Sequence, residues 1–224
     1  MTSKAARSRG MPRRSDPVAE PRSRTPLLIG VAVVAFIAVA AIVAIALSGT
    51  TTGGGLSEPA RAATAVSGNP LPALADPASD PAIGQPIPSL TGIDLAGEPI
   101  SIGPSDGPMA IVLLAHWCGF CQAEVPILVD YVASTGMPDG VELVTISTSI
   151  DPARPNYPPS TWLEREGWTA PTLVDDATSG ALRALGMSSF PGFVFVDADG
   201  RVVQRATGQL PSEAFDQMVR SLAP

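Results

Sequence analysis

Residues 109–121 read Met109-Ala110-Ile111-Val112-Leu113-Leu114-Ala115-His116-Trp117-Cys118-Gly119-Phe120-Cys121, and their order decides the fold. Met109 to Ala115 is a short, uninterrupted apolar run. Its length and β-branched content predict a strand buried on both faces of a parallel sheet. A helix is expected to begin near Gly119 and continue toward Ala133, with Val125, Leu128, Val129 and Val132 as its apolar face and Pro126 as a kink. Cys118 then sits where a buried strand hands over to a helix. The unpaired N–H groups and the dipole of a helix amino terminus favour negative charge there, hence the thiolate that attacks disulfides. Cys121, one turn later, can reach Cys118 and resolve a mixed disulfide.

Other uses of two cysteines fit less well. A structural bridge enclosing so short a loop constrains the unfolded chain little. A metal site needs about four ligands, and the chain offers Cys118, Cys121 and a single histidine, His116. A copper chaperone of the redox-fold type needs a distant histidine, and none follows His116. The peroxidase pattern Pro-x-x-x-Thr-x-x-Cys is not met, because Ala115 holds the threonine position. No feature calls for a bound cofactor.

Outward from the cysteines, Ser89 to Ile102 reads as a β-hairpin turning at Ala96-Gly97-Glu98-Pro99. Val141 to Ser147 is a second parallel-type strand. Thr161 to Glu166 and Ser179 to Leu185 are expected helices. Phe193 to Val196 and Val202 to Arg205 are strands joined at Asp197-Ala198-Asp199-Gly200, and Ser212 to Leu222 is a last helix capped by Ser212. This order is an α/β pattern, a mixed sheet with helices on both faces. It occupies residues 82–224.

The amino-terminal third is different in kind. Leu27 to Leu47 is a run of 21 residues without a charge, long enough at about 1.5 Å per residue to span a hydrocarbon core of roughly 30 Å. It is longer than the apolar region of a cleaved signal peptide, so a single-pass anchor is expected. Residues 1–26 carry seven basic and two acidic side chains, a net +5, which leaves −12 of the total −7 for the rest of the chain. The positive-inside rule puts this basic tail in the cytoplasm and everything past the helix outside the plasma membrane. The acidic remainder, without a lysine, offers no footprint for nucleic acid. Residues 48–81, rich in glycine, proline, serine and alanine, are expected to be a flexible linker.

Several spaced motifs resemble the membrane-anchored, thioredoxin-like proteins of the TlpA/ResA type over about residues 84–222. Trp117-Cys118-x-x-Cys121 matches, as does the following x-x-Glu-x-Pro at Glu124 and Pro126. The hairpin with Gly97 resembles the family's opening segment, and Leu185 to Gly200 resembles its stretch from glycine through proline and an apolar strand to Asp-x-Asp-Gly. The resemblance implies a thioredoxin-like fold with an amino-terminal hairpin extension and a redox-active Cys118–Cys121 disulfide. It also implies a cis proline at Pro191 beside the cysteines. Phe190 would then offer its backbone to an extended substrate, with Trp117 and Phe120 as further substrate contacts. Glu124, three residues past Cys121, is the family's functional glutamate and would take the proton from that thiol.

The chain departs from the family at three places. Gly119-Phe120 lacks the usual proline between the cysteines, Phe190 replaces a smaller residue, and Val112 stands where cytoplasmic thioredoxins bury an aspartate. His116 is expected to face the side of Cys118, either as an imidazolium that steadies its thiolate or as a hydrogen-bonded histidine at the sheet rim. Ligands of open α/β sheets sit beyond the carboxyl ends of parallel strands, so the loop Thr148 to Pro159 should edge the same crevice, with Arg154 and Tyr157 on its rim.

The expected function is that of an extracytoplasmic thiol–disulfide oxidoreductase, acting as a reductase. The resemblance implies protein thiols as substrates, apocytochrome c among them, with electrons from an integral-membrane thiol donor. The alternatives are a disulfide-forming oxidase and a non-catalytic thioredoxin-fold binding module.

Overall fold

The computed structural model describes residues 64–223. The expected basic tail at 1–26, the membrane helix at 27–47 and the first part of the linker lie outside them. No helix among the described residues is long and apolar enough to cross a membrane.

One eight-stranded mixed sheet organises the domain. Its strands are β1 (Ala65–Ser67), β2 (Ser89–Asp94), β3 (Pro99–Ile102), β4 (Met109–Leu114), β5 (Glu142–Ser147), β6 (Thr172–Val174), β7 (Gly192–Val196) and β8 (Val202–Thr207). They run in the order β1-β2-β6-β5-β4-β7-β8, with β3 pairing β2 off this path. Strands β4, β5 and β6 are parallel, and β7 lies antiparallel to β4. Every residue of β4 is buried, as the apolar run predicts.

Strand alternation divides the core in two. Met109, Ile111 and Leu113 point to one face, where they meet Leu182 and Leu185 beside the helix α3 (Gly180–Ala184). Ala110, Val112 and Leu114 point to the other, beneath α1 (Gly119–Ser134), α2 (Pro159–Arg165) and α4 (Ser212–Arg220). Helices thus cover both faces. Helix α1 continues through Pro126 to Ser134. Its buried seam is Cys121, Glu124, Val125, Leu128 and Tyr131, one residue round from the expected stripe. Val129 and Val132 lie at its edge. In α4 the capping position is held by Pro211 and not by the expected Ser212, which is the first helical residue and makes no side-chain cap bond.

The largest departure concerns the expected linker. From Thr64 onward it is packed on the domain as a strap. Strand β1 adds to the edge of β2, and Leu71 enters the core, its N–H donating to Ala184 O at 2.8 Å. Asp80 is buried against Arg205, whose Nε donates to it at 2.9 Å and whose Nη1 donates to Leu185 O at 2.7 Å. Gly186, with φ +66, ends α3 where a Cβ would meet Leu71 O at 2.9 Å, so the strap needs a glycine there.

Removing one partner of a buried ion pair strands the other charge, at a cost of about 3–5 kcal/mol. Asp80→Asn is expected to lower the unfolding free energy by that amount in urea titrations. Arg205 hydrogen bonding holds the Asp80 pKa below the usual aspartate range. This stabilisation is therefore complete above the unfolded pKa and disappears as pH falls through the lowered folded value. A loss under about 1 kcal/mol would show that the strap does not bear on the domain's stability.

Candidate active site

The strand-to-helix junction determines what each cysteine can do. Beyond β4 the chain turns once, Cys118 N–H donating to Ala115 O at 3.0 Å, and enters α1 with Cys118 as the capping residue. Cys118 is half-buried and Cys121 fully buried, and both are free thiols. The Cys118 Sγ donates to Phe190 O at 3.5 Å. The Phe190–Pro191 peptide is cis, the geometry expected at that position. The Trp117 and Phe190 rings meet edge-on at 5.3 Å and shield one side of Cys118, while Phe120 stands 65% exposed on the other end of the motif.

Cys121 Sγ lies behind, accepting from Ala115 N–H at 3.5 Å. Burial pushes its thiol pKa far up. The Ala115 N–H opposes this by less, and the neighbouring Cys118 and Glu124 add to the rise. Cys121 therefore stays protonated unless a base removes its proton. Glu124, one turn along α1, is fully buried. Burial raises its pKa to about 7, against a smaller lowering from Leu210 N–H, which donates to both carboxylate oxygens at 3.3 and 3.4 Å. Val112, at the position of the thioredoxin aspartate, is buried in the same cluster as Cys121 and supplies no proton acceptor.

His116 departs from the first of its two expected roles, that of an imidazolium. Asp151 N–H donates to Nε2 at 3.2 Å, so that nitrogen carries no proton, and Nδ1 lies 2.7 Å from Pro155 O, to which it must donate. These bonds fit the neutral ring and not an imidazolium beside Cys118. The ring instead secures the loop that follows β5, the hydrogen-bonded alternative open to it from the sequence, with the partners supplied by the fold. The same loop receives Trp117 Nε1–H at Ser149 O, 2.7 Å away. Asn156 Nδ2 and Gln122 Nε2 both donate to His116 O, at 3.3 and 3.0 Å. Arg154 and Tyr157 reach the crevice as the topology predicts. The Arg154 guanidinium lies 4.7 Å from the Trp117 ring centroid, and the Tyr157 ring is 5.9 Å from that of His116.

An apolar groove of about 280 Å³ between α1 and residues 167–170 includes neither cysteine. The half-buried Cys118 stands instead among the segments that carry Trp117 and Phe190. Among the described residues no three His, Cys, Asp or Glu side chains group to hold a metal.

One accessible and one buried thiol at the head of a helix, on a thioredoxin-like sheet, define the chain as a thiol–disulfide oxidoreductase. The chain belongs to the Redoxin family, whose model matches residues 82–222, more than half of its length. The strap at 64–81 lies outside that match. Among curated proteins it is similar to the thiol-disulfide oxidoreductase ResA of Geobacillus thermodenitrificans. The two are 24% identical over 144 residues, covering 64% of this chain and 79% of that protein. ResA of Bacillus anthracis is 22% identical over 144 residues, covering 63% and 79%. Two solved structures share the fold. One is the thioredoxin domain of a thiol-disulfide oxidoreductase from Bacteroides vulgatus, with 21% identity, TM-score 0.51, and coverage of 64% of this chain and 99% of that one. The other is a thioredoxin-family thiol:disulfide interchange protein from Chlorobium tepidum TLS, with 23% identity, TM-score 0.52, and coverage of 62% and 96%.

A carboxyl whose folded pKa is raised holds a proton that the unfolded chain has released. Stability from Glu124 is therefore full below the ordinary value near ~4.3, declines as pH rises, and levels off above about 7. At about 1.36 kcal/mol per unit the decline amounts to about 2–4 kcal/mol. Glu124→Gln is expected to remove it, measured by urea unfolding at pH 5 and pH 8. A slope that survives the substitution would place the titration on another group.

Proposed function

We propose that this chain is a membrane-tethered, extracytoplasmic thiol–disulfide oxidoreductase that works as a reductase of protein disulfides. The observation that carries the chemical part is the contrast between the two sulfurs. Cys118 is accessible, caps α1 and faces the Phe190 carbonyl, while Cys121 lies buried behind it in reach of a carboxyl of pKa about 7.

The thiolate of Cys118 attacks one sulfur of the partner's disulfide, forming a mixed disulfide and releasing the other sulfur as a thiolate, which takes a proton from solvent. Glu124 then accepts the proton of Cys121. The resulting thiolate attacks Cys118 Sγ, breaks the mixed disulfide and frees the second partner thiol. Two electrons pass to the partner, and Cys118–Cys121 is left as a disulfide. A donor dithiol restores it, and the family resemblance supports an integral-membrane thiol carrier in that part. An extended segment of the partner fits beside Phe190, whose carbonyl accepts from the reacting sulfur. The apolar run at 27–47 and the basic tail before it support the tether and its orientation. The TlpA/ResA resemblance supports the reductive direction and apocytochrome c as one substrate.

Three measurements test this reading. A midpoint potential near about −270 mV accords with a reductase, and one near about −120 mV would make the protein an oxidase. Cys121→Ala is expected to accumulate mixed disulfides on Cys118, and Cys118→Ala to accumulate none. Glu124→Gln should slow the resolving step by about 10²-fold or more and abolish its rise through pH 7. A binding module would leave all three cysteine and glutamate variants without effect on thiol exchange.

A further inference from the structure

The segment from Ser149 to Pro158 is fastened to the redox motif more firmly than a connecting loop requires. Both nitrogens of His116 bond to its backbone, at Asp151 and at Pro155, on either side of Arg154. Trp117 Nε1–H reaches Ser149 O and Asn156 reaches back to His116 O. Arg154 is thus carried on a backbone held in place by the two residues that precede Cys118.

Its side chain is held more loosely. The guanidinium rests over Trp117 at 4.7 Å from the ring centroid. The Arg154 Nε lies 3.6 Å from the Asp151 carboxylate, between side chains 56% and 47% exposed. Such a surface pair contributes roughly 0–1 kcal/mol and exchanges readily. A guanidinium lying over an aromatic face keeps in-plane N–H donors for a carboxylate. Tyr157 on the same loop is 40% exposed, and Phe120, two residues past Cys118, is 65% exposed.

We propose that Arg154 binds a carboxylate on the partner polypeptide, placed within a few residues of the cysteine that exchanges with Cys118, while an apolar neighbour of that cysteine lies on Phe120. This rests on the oxidoreductase reading and names the class of segment it takes: an extended, cysteine-bearing stretch with one acidic and one apolar flank. Charge argues for a single placed carboxylate over an acidic surface. The chain beyond residue 26 carries −12, so a broadly acidic partner is repelled, whereas one carboxylate within a Debye length of about 8 Å of Arg154 is attracted. Pre-organisation of the loop by His116 reduces the ordering cost of that contact.

The test uses the reduced full-length chain and three synthetic peptides of the form Phe-Cys-Gly-x, with x as Glu, Gln or Lys, each Cys joined in a disulfide to 2-mercaptoethanol. Rates are followed by tryptophan fluorescence and compared as ratios within each protein, so a general change in rate does not enter. The expected Glu-to-Lys ratio in the unaltered chain is about fivefold at low salt, shrinking in 0.5 M NaCl. Arg154→Gln should bring it within about twofold of one, and Arg154→Glu should invert it. A wild-type ratio near one, or a preference that persists in Arg154→Gln, overturns the proposal and leaves the oxidoreductase reading intact. Failure to reduce any of the three peptides overturns both. The salt dependence of the unaltered chain decides the matter even if a variant does not fold.

Discussion

The backbone turn between β4 and α1 governs this molecule. Cys118 N–H donates to Ala115 O, Gln122 N–H donates to Cys118 O, and Ala115 N–H points at Cys121 Sγ. These bonds can form only because β4 is buried on both faces and cannot shift, and because α1 begins at once after it. One sulfur is thereby left at the surface at the helix head, and the other is turned into the core. Their opposite chemical characters, accessible nucleophile and protonated reserve, follow from that single difference in burial.

The crevice around the junction comes from segments far apart in the chain. Phe190 brings its carbonyl to Cys118 across 72 residues, and Ser149 receives Trp117 across 32. Neither segment is chemically reactive. They set the surface on which a partner's disulfide would lie, and the backbone bonds of His116 keep one wall from drifting. Glu124, the proposed proton acceptor, is tuned by position: burial raises its pKa, as it would not at the solvent face of α1.

Much of this was legible beforehand. The apolar run 109–115, the spacing of the cysteines and the turn at Asp197-Gly200 each declare a local structure, and β4, α1 and the β7–β8 pair appear where those signals place them. The strand β6 was not foreseen, because three residues carry too little pattern to distinguish a strand from a loop. The strap at 64–81 was misread for another reason. Its composition is that of a linker, yet Asp80 finds Arg205 across 125 residues and Leu71 meets the end of α3. For His116 the sequence offers both an imidazolium and a hydrogen-bonded ring, and the choice falls to its bonds with Asp151 and Pro155.

The amino-acid order alone places the two cysteines at a strand-to-helix junction and lays out the sheet that carries them, since periodicity, turn chemistry and the helix head act over a few residues. The hydrogen-bond partners of His116, the raised pKa of Glu124 and the folding of the strap come only with tertiary structure. Each of these depends on desolvation or on a hydrogen bond to a distant backbone group, and such quantities exist only once the chain has closed on itself.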